Sequence, residues 1–175
     1  ALHAIAQGLS SGEIAYDISA IDEQLDRLWP GMGYEAVWES SRERNAAHDA
    51  SVRLLTWMLD HRVHASITES ELFLKTKATV ENSDGTVREV DVAISGRADR
   101  IEFTENGIMI FDFKTSKEEK KSKDLFKDVQ LALYAFLLES GTYTQDGAVV
   151  SRDLGNEVQG AALVQHRVGE KDNSD

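Results

Sequence analysis

The segment Gly96 to Thr115, GRADRIEFTENGIMIFDFKT, constrains this chain most, because its alternation forces two short strands around a tight turn. Asn106-Gly107, a dipeptide that readily takes positive φ, marks the turn between a run ending at Phe103 and one starting at Ile108. Side chains on a strand repeat with period two, so Ile108, Ile110, Asp112 and Lys114 share one face. That face is apolar where it enters the core and charged where it leaves. A carboxylate and an ammonium side by side on a mostly buried strand are costly to desolvate unless something pairs them. A metal ion and a phosphate would do so, and a plain buried Asp-Lys ion pair is the alternative. Asp99, Asp112 and Lys114 are therefore the first candidate site residues.

A chain of 175 residues, 41% hydrophobic, is long enough for one compact domain. There is no apolar run near the roughly 20 residues of a membrane span and no leader resembling a signal peptide, which predicts a soluble, intracellular protein. The absence of cysteine excludes disulfides, zinc-thiolate sites and iron-sulfur clusters from these residues, so any metal is held by oxygen or imidazole. A net charge of −12 argues against non-specific wrapping of nucleic acid, which relies on excess Lys and Arg. It leaves a nuclease open, since a cation-dependent site needs clustered carboxylates and a basic groove can be local.

In chain order, Leu2, Ile5, Ala6 and Leu9 predict a short amphipathic helix over residues 1 to 9. It starts without a cap, an expectation that the segment was cut from a longer protein. His3 lies beside its apolar stripe. A second helix, Asp17 to Leu28, stops at Trp29-Pro30-Gly31, where the single proline punctuates a helix-to-helix connection. A longer helix follows from about Tyr34 to His61, with Ala47, Ala50, Leu54, Trp57 and Met58 on one face. His48, His61 and His64 do not have the spacing of a compact tetrahedral site and are read as surface or interface histidines.

After residue 66 the period changes to two. Leu72 to Thr79 is a strand, Glu81 to Gly85 a hairpin turn, and Val87 to Ile94 a second strand that runs on or bends near Gly96 into the Asp99 segment. Ile108 to Lys114 completes a three-stranded antiparallel meander. Lys117 to Lys127 is a mixed-sign run, read as a solvated loop and helix start. A helix then runs to Ser140, with Leu125, Val129, Leu133 and Phe136 as the expected buried stripe. Gln130 and Tyr134, four apart, sit one above the other on its flank. Residues 142 to 157 read as a polar loop, Gln159 to His166 as a last strand, and the tail from 167 to 175 as disordered. A third strand, a helix and a last strand make a crossover that gives a parallel neighbour. The expectation is an α/β fold of mixed α+β sheet type, helix, three-stranded antiparallel meander, helix, strand, with helices on both faces.

Gly96-Arg97-Ala98-Asp99-Arg100-Ile101-Glu102, then Asp112-Phe113-Lys114-Thr115, then Gln130 and Tyr134, together resemble the nuclease domain of the RecB-like branch of the PD-(D/E)XK superfamily. That branch includes the nuclease domains of RecB and AddAB helicase-nucleases and stand-alone exonucleases. The resemblance covers about residues 66 to 166, with a looser extension to the N-terminus. It implies a restriction-endonuclease-like core at 66–166, a helical part at 1–65, and a single nuclease domain over 1–175.

The resemblance further implies a Mg²⁺-dependent DNA nuclease, with Mn²⁺ an acceptable ion and an exonuclease role in recombination or double-strand break repair. It implies metal ligation by Asp99, Asp112, the backbone carbonyl of Phe113 and His3, since members of the branch commonly carry a metal-holding histidine on an early helix. Lys114 would orient the attacking water or stabilise phosphate charge, and Gln130 and Tyr134 would place phosphate or water. Apart from the resemblance, Arg100 and Glu102 differ in parity from Asp99 and read as a supporting pair on the other face. Many AddB-type members carry four cysteines that bind an iron-sulfur cluster; this chain has none and resembles the cluster-free members. The implied partner is a DNA end, single- or double-stranded, in a bacterial, cytoplasmic, nucleoid-associated setting without a membrane; the resemblance leaves open whether a helicase domain or subunit outside these residues is attached. A non-catalytic DNA-end binding or scaffolding module that keeps the fold is the alternative function.

Overall fold

The computed structural model describes residues 2–33, 37–62, 64–114, 129–145, 147–151 and 157–165. The chain divides into two compact units, one of residues 1–66, 113–127 and 163–175, the other of residues 67–112 and 128–162.

The first unit is built on helices α1 (Leu2–Ser11), α2 (Ile18–Leu28) and α3 (Val37–His61). In α1 the expected stripe is buried: Leu2, Ile5, Ala6 and Leu9 are all at most 6% exposed. Asp17 caps α2, its side chain accepting from the Ala20 backbone N–H at 2.8 Å, which satisfies one of the N–H groups a helix start leaves open. A 3₁₀ turn, Trp29–Met32, with proline in its first positions ends α2 where the sequence places the break. Along α3, Ala50, Leu54 and Met58 are fully buried and pack with Ile21, Leu25 and the α1 residues. Phe113 joins this core, its ring edge-on to Trp57 at 5.5 Å.

The second unit carries most of a six-stranded sheet in the order β5-β4-β1-β2-β3-β6. Its strands are β1 (Ala65–Glu81), β2 (Val87–Thr104), β3 (Gly107–Lys114), β4 (Thr142–Gln145), β5 (Ala148–Ser151) and β6 (Val158–Gln165); the last helix is α4 (Val129–Ser140). The β1–β2 turn closes with the Asn82 N–H donating to the Thr86 carbonyl at 2.8 Å. The β2–β3 hairpin pairs Ile101 with Ile110 and Phe103 with Ile108, turning at Gly107 with φ +133°. Ile108 donates its N–H to the Glu157 carbonyl at 2.7 Å, and a Cβ on Gly107 would collide with that same carbonyl. Gly107 lies against Gln159 and Met109 against Gly160, as befits β3 and β6 being neighbours in the sheet.

Two readings of the sequence are corrected here. Residues 142 to 157 are not a loop throughout, because β4 and β5 form an antiparallel hairpin, Thr142 opposite Ser151 and Gln145 opposite Ala148. These strands are short, and backbone pairing to β1 holds β4, so little alternation marks them in the sequence. The buried stripe of α4 is Leu131, Tyr134, Leu137 and Leu138, while Val129 is 77% and Phe136 45% exposed. VQLALYAFLLES is apolar on nearly every side, so periodicity cannot choose its face, and packing against β2 and β4 does. Leu125, the Lys117 to Lys127 run, Thr115, His166 and the tail from 167 to 175 lie outside the described residues.

Candidate active site at the end of strand β3

The face of β3 that packs on α4 holds Ile108, Ile110 and Asp112, with the two isoleucines at most 1% exposed among Tyr134, Leu137 and Leu138. Asp112 is only 4% exposed. Its Oδ1 accepts a hydrogen bond from Gln130 Nε2 at 3.0 Å, and the same nitrogen donates to the Tyr134 hydroxyl at 2.7 Å. The two helix residues that the sequence places one above the other therefore form a bridge to the strand carboxylate. Hydrogen bonds to an ionised acceptor are stronger than neutral ones, and such a bond offsets part of the cost of burying the charge.

Gly96 has a steric role in this arrangement. A Cβ at that position would sit 2.7 Å from Tyr134 Cε1 and 3.5 Å from Leu137 Cδ1, so only glycine lets the Tyr134 ring lie this close to β2. In the sequence Gly96 is visible only as part of a motif, since the residue it makes room for lies far along the chain.

Asp99, half-buried, sits where the alternation of β2 slips. Gly96 and Ala98 before it pack with the α4 cluster, and so do Ile101 and Phe103 after it. Even and odd positions cannot share one face of a regular strand, so the alternation shifts by one residue between Ala98 and Ile101, the pattern that a β-bulge produces. Nearby, Arg97 reaches Glu69 of β1 at 2.6 Å, and Glu69 has φ +54°, in the left-handed region. Beyond the slip, Arg100 and Glu102 pair across Phe111 and Met109, on the face opposite Ile101. Arg100 Nε donates to Glu102 Oε1 at 2.6 Å, with side chains 2% and 1% exposed. That is the pair expected on the other face.

Phe113 and Lys114 continue β3 into the first unit, where Lys114 is half-buried, and His3 is exposed on the first turn of α1 in that same unit. Asp99, Asp112, Gln130 and Tyr134 belong to the second unit. His48 Nδ1 lies 2.8 Å from Asp22 Oδ1, and His61 stacks on Trp57 at 3.8 Å, so each has a structural partner in the helical unit. Among the described residues no three His, Asp or Glu side chains converge into a metal-holding group. Two carboxylates, with water and substrate phosphate as further ligands, is nonetheless a donor set that suits Mg²⁺, a hard ion that favours oxygen and keeps several waters. The buried Asp112 carboxylate, already oriented by Gln130, fits such an ion.

A family model described as the PD-(D/E)XK nuclease superfamily matches residues 1–173. This chain belongs to the PD-(D/E)XK nuclease superfamily. Its six-stranded sheet with helices is consistent with the restriction-endonuclease-like fold of that superfamily, whose members hydrolyse phosphodiester bonds and typically use divalent metals. For this superfamily member, DNA is the implied substrate. No curated protein matches the chain. Among solved structures it is similar to the crystal structure of SSO0001, at 18% identity over 79% of this chain and 78% of that one, with a TM-score of 0.29. Among the described residues no helix is long and apolar enough to cross a membrane.

Proposed function

We propose that this superfamily member is a Mg²⁺-dependent deoxyribonuclease of the RecB-like, cluster-free kind, an exonuclease that works on DNA ends in recombination or double-strand break repair. The observation that carries this reading is the Asp112 carboxylate, 4% exposed and held by Gln130 at 3.0 Å, within a chain matched by the nuclease model. In this reading Asp99 and Asp112 supply the carboxylate ligands, and the Phe113 carbonyl and His3 complete the set. Held by these residues, Mg²⁺ or Mn²⁺ would supply Lewis acidity at the phosphate and lower the pKa of a water. Lys114 orients the attacking water and stabilises the charge that builds on the phosphate. Gln130 and Tyr134 fix Asp112 and place phosphate or water beside it. The DNA end is the substrate in a bacterial cytoplasmic setting, with or without a helicase domain or subunit attached.

The test is degradation of 5′- and 3′-labelled linear and circular DNA in Mg²⁺ and in Mn²⁺. An exonuclease degrades linear DNA from one labelled end and spares covalently closed circles. Cleavage of circles makes the chain an endonuclease. Binding to ends with no degradation, and no divalent-ion site dependent on Asp99 and Asp112, supports the scaffolding alternative instead.

A further inference from the structure

Arg100 and Glu102 are the most deeply buried charged side chains among the described residues, 2% and 1% exposed, and phosphodiester chemistry gives neither of them a direct part. A buried ion pair is a poor source of stability, because desolvating both charges offsets most of their attraction, and an apolar pair of similar volume is often as stable or more so. The pair therefore invites a role other than stability. Its place supplies one. Arg100 directly follows Asp99, just past the shift in alternation and in register with Phe111, and Glu102 follows on the same face. A bulge bends its strand and increases the local twist, so a rigid contact beside it constrains the direction of the residues next to it. The 2.6 Å bond from the planar guanidinium to the Glu102 carboxylate spans the two positions just past the slip, against Phe111 and Met109 of β3.

We propose that the Arg100–Glu102 pair is a positioning device that locks the bulge and thereby sets the direction of the Asp99 carboxylate as a metal ligand. This rests on the nuclease reading and deepens it: Asp112 is oriented by Gln130 from α4, and Asp99 is oriented from the opposite face of the sheet. Groups that orient metal ligands without touching the ion commonly govern affinity about 10- to 100-fold.

The experiment compares Mn²⁺ affinity by calorimetry, the urea unfolding midpoint and DNA degradation for the wild-type chain, the double variant Arg100→Met/Glu102→Leu, and Arg100→Lys. The apolar double variant is expected to unfold at the wild-type midpoint or above, yet to bind Mn²⁺ at least about tenfold more weakly and to lose degradation in step. Arg100→Lys keeps the charge and loses the planar fork. It serves if the double variant does not fold, and it is expected to weaken Mn²⁺ binding without a matching loss of stability. Wild-type Mn²⁺ affinity in either folded variant overturns the positioning role while leaving the nuclease reading intact. If the wild-type chain neither binds Mn²⁺ nor degrades DNA, the nuclease reading falls first and this inference with it.

Discussion

Gln130 holds Asp112: its Nε2 donates to the Oδ1 carboxylate oxygen at 3.0 Å while also bonding the Tyr134 hydroxyl at 2.7 Å. One amide thus ties helix α4 to the strand that carries the central carboxylate. Gln130→Ala is expected to destabilise the chain by about 1–3 kcal/mol in urea unfolding, the cost of leaving a buried charged acceptor short of a donor. Degradation of DNA should fall about 10- to 100-fold, as for other residues that orient a metal ligand. Gln130→Glu should be worse on both measures, because it sets a like charge beside Asp112.

Gly96→Ala should displace the Tyr134 ring, because the new methyl would lie 2.7 Å from Cε1. Tyr134 sits in a well-packed cluster, so the expected loss is about 1–3 kcal/mol, typical of overpacking. Combining it with Tyr134→Ala should cost less than the sum of the two single changes, since the clash then disappears. Additive losses would show that Tyr134 is not what the glycine accommodates.

Asp84, at the tip of the β1–β2 hairpin, accepts from both the Thr86 hydroxyl and the Thr86 backbone N–H, at 2.6 Å and 2.9 Å. These bonds favour the charged carboxylate and hold it below its ordinary value of 3.8. The folded state therefore binds its proton less readily than the unfolded state, and the contribution to stability is complete above the ordinary value. It is lost as pH falls through the lowered one. Wild type should exceed Asp84→Asn in stability by a constant margin at neutral and mildly acidic pH, and the margin should shrink below 3.8. A margin unchanged by acid would rule out this source.

The β2–β3 hairpin is legible in the sequence because it is local: strict alternation around Asn106-Gly107 fixes both the turn and which residues share a face. The Gln130–Tyr134 pairing is legible for the same reason, as helical spacing alone stacks them. The buried face of α4 is not, since Val129, Leu133 and Phe136 are as apolar as Leu131, Leu137 and Leu138, and only the sheet beneath distinguishes them. The β4–β5 hairpin escapes a sequence reading because Thr142 to Gln145 owes its strand state to its β1 and β5 partners rather than to its own composition. The slip at Asp99-Arg100 and the need for Gly96 both depend on residues distant in sequence, which periodicity does not see.

The central claim is that Asp112 is a ligand-bearing carboxylate of a nuclease site rather than one half of a structural ion pair. Its most direct test is degradation of end-labelled DNA in Mg²⁺ and in Mn²⁺ by the wild-type chain and by Asp112→Ala, with far-UV circular dichroism recorded on both. The account predicts degradation by the wild type and none by Asp112→Ala, whose spectrum stays native. Degradation by a natively folded Asp112→Ala at the wild-type rate, or none by the wild type in either ion, would contradict it.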